Sequence, residues 1–304
     1  AKASLSKEPP NGTAIKAASS NQNTFLTSLA FSLSIAGQVF AAIGLAMAET
    51  YEPLMAGLMM LLQLALLALI PNFLHRLFSS FFALSCLMWL LSYYHAPEVS
   101  AGLLALITSV CLLQRYELAS FAPAKRSYTV LMLSQIMGYA SAFMLLVISV
   151  YFISAEYGHD IVRYSEDYDS FYFYHYPLAQ GLLLLASLYA AHLILRRYQM
   201  TLWSPAGLVI ITTITVMAVI SVYVSGLLAA SLVIVIALAN AQRILAALGV
   251  SALVGYVFWY YYQLDTSLLV KSASMLAVAT GLLLIRWLVV KTYFAQITPQ
   301  QEAR

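Results

Sequence analysis

Ten apolar stretches, separated by short polar connections, fill the chain from Phe25 to Val290. They lie at residues 25–48, 53–70, 77–94, 98–114, 128–153, 177–195, 204–221, 225–241, 243–261 and 268–290. A helix needs about 20 apolar residues to cross the hydrocarbon core of a bilayer, with a usual range of about 17–25. Hydrocarbon cannot hydrogen-bond to exposed backbone groups, so apolar stretches of this length must span as helices. The sequence therefore predicts an all-α fold, a polytopic membrane helix bundle of about ten transmembrane helices.

The seventh and eighth stretches run together almost without interruption from Ser204 to Ala241. One helix of that length would measure about 57 Å, which is too long for a single crossing. Ser225 and Gly226 offer the only plausible turn. Two crossings are therefore favoured, and the sequence leaves open whether they form a hairpin or one bent element.

The signs of the charged residues define an orientation for ten spans. With the N-terminus in the cytoplasm, all of the 15 basic residues except Arg163 and Lys271 fall on the inner side. Positive charge is retained on the cytoplasmic side of membrane proteins. A nine-span alternative would place Arg243, Arg286 and Lys291 on the outer side. We therefore predict that both termini are cytoplasmic.

The composition limits the domain organisation and the partners. Hydrophobic residues make up 62% of the chain and charged residues only 9%, too few charges to cover the surface of a soluble domain. We predict a polar cytoplasmic tail at 1–24, which we expect to be flexible, one transmembrane domain at 25–291 and a short cytoplasmic tail at 292–304. The net charge of +3 is dispersed, which argues against nucleic acid as a partner. Cys86 and Cys111 lie in apolar stretches and indicate neither a disulfide nor a metal site.

Within the predicted spans, glutamines are the polar residues that stand out. They are Gln38, Gln63, Gln135 and Gln180, with Arg286 near the inner end of the last span. Gln38 and Gln63 are each expected about 15 Å below the outer surface, where they could hydrogen-bond across an antiparallel helix pair. Helix-to-helix bonding is the favoured role of these glutamines, and contact with a substrate is the alternative. No Asp or Glu lies at the centre of a span, which disfavours an ion-coupled pump.

The longest predicted outer loop, 155–176, mixes aromatic and acidic residues. Three interpretations remain open: an aromatic belt at the headgroups, a docking surface for a periplasmic protein, and a divalent-metal site. The first two fit best and are compatible with each other, through residues such as Tyr172, Tyr174, Asp167 and Asp169. The metal alternative would use ligands among His159, Asp160, Asp167, Asp169 and His175, but their spacing matches no ligand pattern.

The last predicted hairpin carries a second polar cluster at its outer end. Asp265 stands where the N-cap of the final span is expected, and Lys271 follows on the side where lysines are scarce. Either Lys271 extends outward to the headgroups, or it forms with Asp265 a contact for a partner or an anionic lipid. Tyr261 and Tyr262 belong to the interfacial aromatic residues before it.

The segment YYYQLDTSLLVKS, with Gly281 and Arg286 after it, resembles the C-terminal signature of a bacterial inner-membrane family, domain of unknown function 4401. The resemblance implies a multi-pass protein of the bacterial inner membrane. It marks as family positions Tyr261, Tyr262, Leu264, Asp265, Leu268, Leu269, Lys271, Ser272, Gly281 and Arg286. It also implies two partners, a second multispan membrane protein and a periplasmic-facing protein with a GDYxxLxY motif. No activity of that family can be transferred.

The leading functional hypothesis is a non-enzymatic integral subunit of an inner-membrane complex, embedded in the lipid bilayer and docking partners through outer loops and helix faces. The alternative is a transporter or lipid-handling protein with a polar cavity between helices, lined by the four glutamines. An enzyme is third, because no nucleophile, base or ligand set converges in a recognised motif. We expect no catalytic, cofactor-binding or metal residues.

Overall fold

The computed structural model describes residues 11–48, 51–157, 175–201, 203–223 and 226–263, with four single positions beyond them. Within these residues the chain is helical and has no β-strand. In chain order the helices are α1 (Asn11–Met47), α2 (Glu52–Leu69), α3 (Phe73–Tyr93), α4 (Val99–Leu113), α5 (Arg115–Ser120), α6 (Ala124–Tyr157), α7 (Tyr176–Arg197), α8 (Pro205–Tyr223), α9 (Leu227–Ala239) and α10 (Arg243–Gln263).

Each of the first nine predicted stretches lies on one of these helices, and the short α5 occupies the connection between α4 and α6. The tenth stretch, 268–290, lies outside the described residues apart from four helical positions, Leu269, Ser272, Leu276 and Thr280. The all-helical class is therefore confirmed for the described part of the chain.

Helices α1, α3 and α6 begin four or more residues before their apolar stretches, and α3 does so at Phe73. Helix α1 begins at Asn11, so that most of the predicted tail at 1–24 continues the helix of the first stretch, and α6 begins at Ala124. Helices α1 and α6 each follow directly on a proline, Pro10 and Pro123. Proline is excluded from helix interiors but compatible with a helix start, so it determines where the backbone can begin to coil. Hydropathy reports only the apolar part of each helix, which explains the difference.

Among the described residues, five helices are long and apolar enough to cross a bilayer. Their apolar parts are Ser28–Met47, Glu52–Leu69, Phe73–Tyr93, Arg126–Ser149 and Tyr176–Arg197. Shorter apolar segments lie at Val99–Leu113, Gly207–Val222, Leu227–Ala239 and Arg243–Trp259. Large apolar side chains cover the outside of the bundle; Phe40 is 72% exposed, Leu69 76% and Ile244 82%. Such an exterior suits lipid as the solvent rather than water.

The core lies where α4 and α9 pass among α6, α7 and α10. Leu104 and Leu112 of α4 and Val233 and Ile236 of α9 are fully buried. In contrast, no residue in the apolar part of α1 is buried. Helix α1 therefore lies at the periphery, against α2 and α3.

Small residues allow the core helices to approach closely. A Cβ atom added at Gly138 would lie 2.5 Å from the side chain of Leu112, and one at Gly249 would lie 2.8 Å from Ile234. Gly102 of α4 is equally tight, 2.8 Å from Cβ of Leu182 on α7. Close backbone approach at small residues is the usual way in which helices pack within membranes.

Gly226 separates α8 from α9 and resolves the question of the long apolar run. Its φ of 83° lies in the left-handed region, which glycine adopts without a steric penalty. Met217 and Leu228, near the turn, and Ile210 and Val235, further away, line one common groove against α7. The two helices are therefore a hairpin.

Candidate functional site

A chain of polar side chains, which we name the polar seam, joins α1, α2 and α3. The amide Nε2 of Gln63 donates to Oε1 of Gln38 at 2.9 Å, and Nε2 of Gln38 donates to Oγ of Ser34 at 3.3 Å. The hydroxyl of Ser34 lies 2.8 Å from Nε2 of His75, whose Nδ1 lies 3.3 Å from Oγ of Ser79. The hydrogen bond between Gln38 and Gln63 is the one that their common depth in the sequence predicts.

The polar seam is buried on the side of α2 and α3. Gln63, His75 and Ser79 are 2%, 3% and 1% exposed. They are buried although α1, which supplies the other side chains of the polar seam, lies at the periphery. Oε1 of Gln63 has no hydrogen-bond partner among the residues that the structure describes. The ring of Phe31 packs edge-on against His75, with centroids 6.1 Å apart. Helix α1 is therefore attached by hydrogen bonds and aromatic contacts rather than by a buried apolar face.

Sequence reasoning identified Gln38 and Gln63 but missed Ser34, His75 and Ser79. Their spacing carries a signal that could have revealed them. Ser34 and Gln38 are four residues apart on one helix, and His75 and Ser79 are four residues apart on another. Polar pairs at this spacing share one face of an otherwise apolar helix, which indicates a polar contact with a neighbouring helix.

Gln180 belongs to a separate cluster between α7, α8 and the start of α9. Oγ of Ser221 donates to Oε1 of Gln180 at 3.1 Å and accepts from the backbone N–H of Leu228 at 3.4 Å. The hydroxyl of Tyr176 donates to the carbonyl of Ser221 at 2.9 Å. These contacts stabilise the α8–α9 turn against the beginning of α7.

Gln135 lies in a third place, a lateral groove of about 570 Å³ that we name the α3–α6–α10 groove. Its walls come from α3, α6 and α10 and are mostly apolar and aromatic: Phe73, Leu77, Phe78, Phe81, Gln135, Tyr139, Ala140, Phe143, Ile244 and Leu248. The four predicted glutamines thus lie at three separate sites, and the described residues do not bring them together around one cavity.

At one end of the bundle, Arg197 joins the C-terminal ends of three helices. It is the last residue of α7, and its guanidinium donates to the carbonyls of Leu113 at 3.0 Å and Ala239 at 3.2 Å. It also donates to Oδ1 of Asn240 at 3.3 Å. A cation placed among the unsatisfied carbonyls of helix ends is favourable, since these ends carry partial negative charge.

A buried carboxylate orders the opposite end. Glu98, just before α4, is 3% exposed and accepts from the backbone N–H of His175 at 3.0 Å. His175 directly precedes α7, so this bond joins the starts of two helices that pack along their length. It also anchors the final residues of the predicted aromatic and acidic loop.

The remaining predicted site residues lie outside the described part of the chain. These are Tyr172, Tyr174, Asp167, Asp169, Asp265, Lys271 and Arg286. Tyr261 and Tyr262 fall in the last turn of α10, but their side chains are outside that part as well. Among the described residues, no three His, Cys, Asp or Glu side chains come close enough together to hold a metal ion.

The arrangement offers amides, hydroxyls and one imidazole, which form hydrogen bonds between helices. Comparison with known proteins adds one finding: the family model described as "Domain of unknown function (DUF4401)" matches residues 11–292. No curated protein and no solved structure matches the chain.

Proposed function

The chain belongs to the DUF4401 family, and from this premise we propose that it is a non-enzymatic integral subunit of a multiprotein complex in the bacterial inner membrane. Its partners are a second multispan membrane protein and a periplasmic-facing protein of the GDYxxLxY type. It docks them through its outer loops and through lateral faces of its helices.

The observation that supports this proposal is that polar side chains within the described bundle form hydrogen bonds from one helix to another. Gln38 and Gln63 bond to each other, and Gln180 bonds to Ser221. The polar groups in the centre do the same, since Thr108 of α4 and Ser141 of α6 lie 2.9 Å apart. A transporter needs convergent polar groups around one substrate path. Side chains that bond helix to helix instead favour a scaffold that is closed at its centre and recognised from outside.

The proposal includes ten spans with both termini in the cytoplasm. Helices α4 and α9 have only 15 and 13 residues, shorter than the hydrocarbon thickness requires. Both contribute to the core, and more than half of the residues of each are buried against neighbouring helices. A central helix does not need the full length of one that faces lipid. Short helices at the centre are therefore compatible with ten spans.

The topology is tested by labelling single cysteines in a Cys86→Ser, Cys111→Ser background. Arg243→Cys, at the exposed start of α10, should react with a membrane-impermeant maleimide only in inside-out vesicles. Glu52→Cys, at the exposed start of α2, is the opposite control and should react only from outside. Labelling of both from one side would exclude the ten-span arrangement.

The outer-face contacts rest on the residues that the sequence singled out, namely Tyr172, Tyr174, Asp167, Asp169, Asp265 and Lys271. The bond from Glu98 to the residue before α7 supports this, because it holds one end of the loop against the bundle. An anchored loop loses less conformational freedom when a partner binds.

The subunit proposal is tested by purifying the tagged full chain from native membranes in a mild detergent. We expect a stable assembly larger than the 33.4 kDa chain, with membrane partners present in fixed ratio. A monodisperse single chain without a co-purifying protein, at detergent concentrations that keep it folded, would contradict the proposal.

A further inference from the structure

Arg76 is a buried cation for which the described residues provide no counter-ion. It lies in the first turn of α3 and is 5% exposed. Its Nε donates to the carbonyl of Ile70 at 2.9 Å, and its Nη1 lies 3.9 Å from Sδ of Met132 on α6. Both acceptors are neutral, and within the described part of the chain no carboxylate forms an ion pair with this guanidinium. Buried charges in proteins are normally paired, because removing an ion from water is costly.

The guanidinium of Arg76 also has unused donors, on a nitrogen that reaches the surface. Arginine carries five N–H groups, and a thioether is only a weak acceptor. Nη2 makes no hydrogen bond within the described residues. Buried side-chain atoms without a partner occur in that part of the chain on Gln63, Ser80, Arg115 and Gln242, but not on Arg76. Nη2 is therefore accessible to a ligand that comes from outside the chain.

The guanidinium lies level with the turn between α2 and α3. Its bond to the carbonyl of Ile70 spans six residues and directs the side chain back past the start of α3. Ile70 is the C-cap of α2, so the cation stands at a helix end and not in the middle of a span. In the proposed orientation of the spans, this turn is on the cytoplasmic side. Lipid headgroups, rather than acyl chains, surround a membrane bundle at the level of its helix ends.

The charges at this end of the bundle favour an anion from outside the chain. Of the charged side chains that the structure describes there, six are arginines and one, Glu117, is a carboxylate. Arg197 differs from Arg76, because its guanidinium donates to three oxygens at neighbouring helix ends. The first N–H groups of α3 add the positive end of a helix dipole beside Arg76.

A phospholipid phosphate is the anion that this position meets in a bilayer. Phosphates lie at headgroup level around the whole bundle, and a guanidinium binds phosphate through parallel N–H groups. Since Nε is occupied by Ile70, the side of the guanidinium that carries Nη2 remains open to such a group. The carboxylate of a partner protein carries the same charge, but it requires a second protein at this turn, whereas lipid is present there without one.

We propose that Arg76 binds the phosphate of a phospholipid of the cytoplasmic leaflet at the α2–α3 turn, through the N–H groups that the chain leaves unused. The inference goes beyond the proposed function. It uses the proposed orientation of the spans to assign the leaflet, and it does not depend on the proposed partners.

The first measurement compares ligands that differ in their phosphate. The full chain is purified in a mild detergent, freed of lipid and titrated with dioleoyl phosphatidylglycerol or with dioleoylglycerol, which has the same acyl chains and no phosphate. Native mass spectrometry measures the bound fraction of each. We expect phosphatidylglycerol to bind at least about ten-fold more tightly, because hydrogen bonds between charged groups are stronger than neutral ones. Inorganic phosphate at the same concentration should not displace it, because it lacks the acyl chains that hold the lipid against the bundle.

Two pairs of variants assign the binding to Arg76. Arg76→Gln should remove the preference for phosphatidylglycerol, and Arg196→Gln, at an exposed arginine of α7, is the matched control and should keep it. Met132→Glu leaves Arg76 in place and supplies an internal carboxylate where Sδ now lies 3.9 Å from Nη1. It should lower the affinity for phosphatidylglycerol about ten-fold even if Arg76→Gln does not fold. Met132→Gln, which is neutral and similar in size, should bind as the parent chain does.

The outcomes separate the lipid from other anions. Equal affinity of the parent chain for the two lipids would overturn the inference, and so would displacement by inorganic phosphate at equal concentration. Unchanged affinity in Met132→Glu would show that the phosphate binds elsewhere. If a co-purified membrane partner abolishes the binding that Met132→Glu also abolishes, and its removal restores that binding, a carboxylate of the partner is the natural counter-ion and the lipid assignment is wrong.

The outcomes also separate the inference from the proposed function. The lipid titrations use the chain alone, so the absence of any partner would contradict the proposed function and leave the phosphate site intact. Cysteine labelling that inverts the orientation of the spans would move the site to the other leaflet and overturn only that part of the inference.

Discussion

The polar seam predicts an unequal response of its two glutamines to the same substitution. Gln63 is 2% exposed; within the described part of the chain it makes one hydrogen bond, through Nε2, and its Oε1 has no partner. Gln38 is half-buried and makes two bonds, to Gln63 and to Ser34. Replacing either glutamine by leucine breaks the bond between them. The two substitutions differ in which amide remains, the buried one of Gln63 or the half-buried one of Gln38.

In Gln38→Leu, both polar atoms of the Gln63 amide remain buried without a partner. A buried group left unpaired in this way costs about 1–3 kcal/mol. In Gln63→Leu, the lost bond contributes about 0.6 kcal/mol, and a buried acceptor that was already unpaired is removed with it. We therefore expect Gln38→Leu to lower the free energy of unfolding by about 1–3 kcal/mol, and Gln63→Leu to leave it unchanged or raise it.

The measurement is reversible unfolding by SDS in mixed micelles, followed by circular dichroism and tryptophan fluorescence. The double variant completes the cycle and should be more stable than Gln38→Leu alone, because it leaves no unpaired amide. A larger loss of stability in Gln63→Leu than in Gln38→Leu would refute the reasoning. So would strictly additive effects.

Three further predictions concern packing and helix ends. Gly102→Ala should lower the free energy of unfolding by about 1–3 kcal/mol, because its Cβ would lie 3.1 Å from the backbone of Leu182, whereas Gly181→Ala, with nothing within 4 Å, should not. Gly226→Ala should destabilise the α8–α9 turn, since φ is 83° and the ring of Tyr256 lies 2.7 Å from the added atom; SDS titration measures the stability of all three variants. Arg197→Met should lower the thermal midpoint in detergent by a few degrees, because it removes three hydrogen bonds that the guanidinium donates. The control is Arg196→Met, at an exposed neighbour that makes no hydrogen bond within the described residues.

Hydropathy and proline positions carry most of the information about helix placement. Pro53 and Pro177 stand in the first turns of α2 and α7, and Pro205 is the first residue of α8. The turn at Ser225 and Gly226 was identifiable because these two residues are the turn-favouring pair in the middle of the long run. The starts of α1 and α6 were not predicted, because residues 11–24 and 124–127 are mostly polar and give no apolar signal; the Asn, Gly, Ser and Thr residues in 11–24 are also weak helix formers.

The sequence predicts how deep each glutamine lies in the membrane, but not which neighbouring helix its side chain faces. A rise of 1.5 Å per residue places Gln38 and Gln63 at one level, and they are bonded. The same arithmetic says nothing about rotation about the helix axis, which depends on neighbouring helices. Gln180 therefore bonds to Ser221, while Gln135 lines a groove, although both were equivalent by sequence.

Two different means of association hold the described helices together, and they divide the bundle. The core joins α4 to α6 and α7 at glycines whose added Cβ atoms would lie within 2.8 Å of a neighbouring side chain. Helix α1 has no buried residue in its apolar part and relies on Ser34, Gln38 and Phe31. Hydrocarbon gives apolar helices no preference for one another over lipid. The hydrogen bonds of the polar seam are therefore what defines the position of α1.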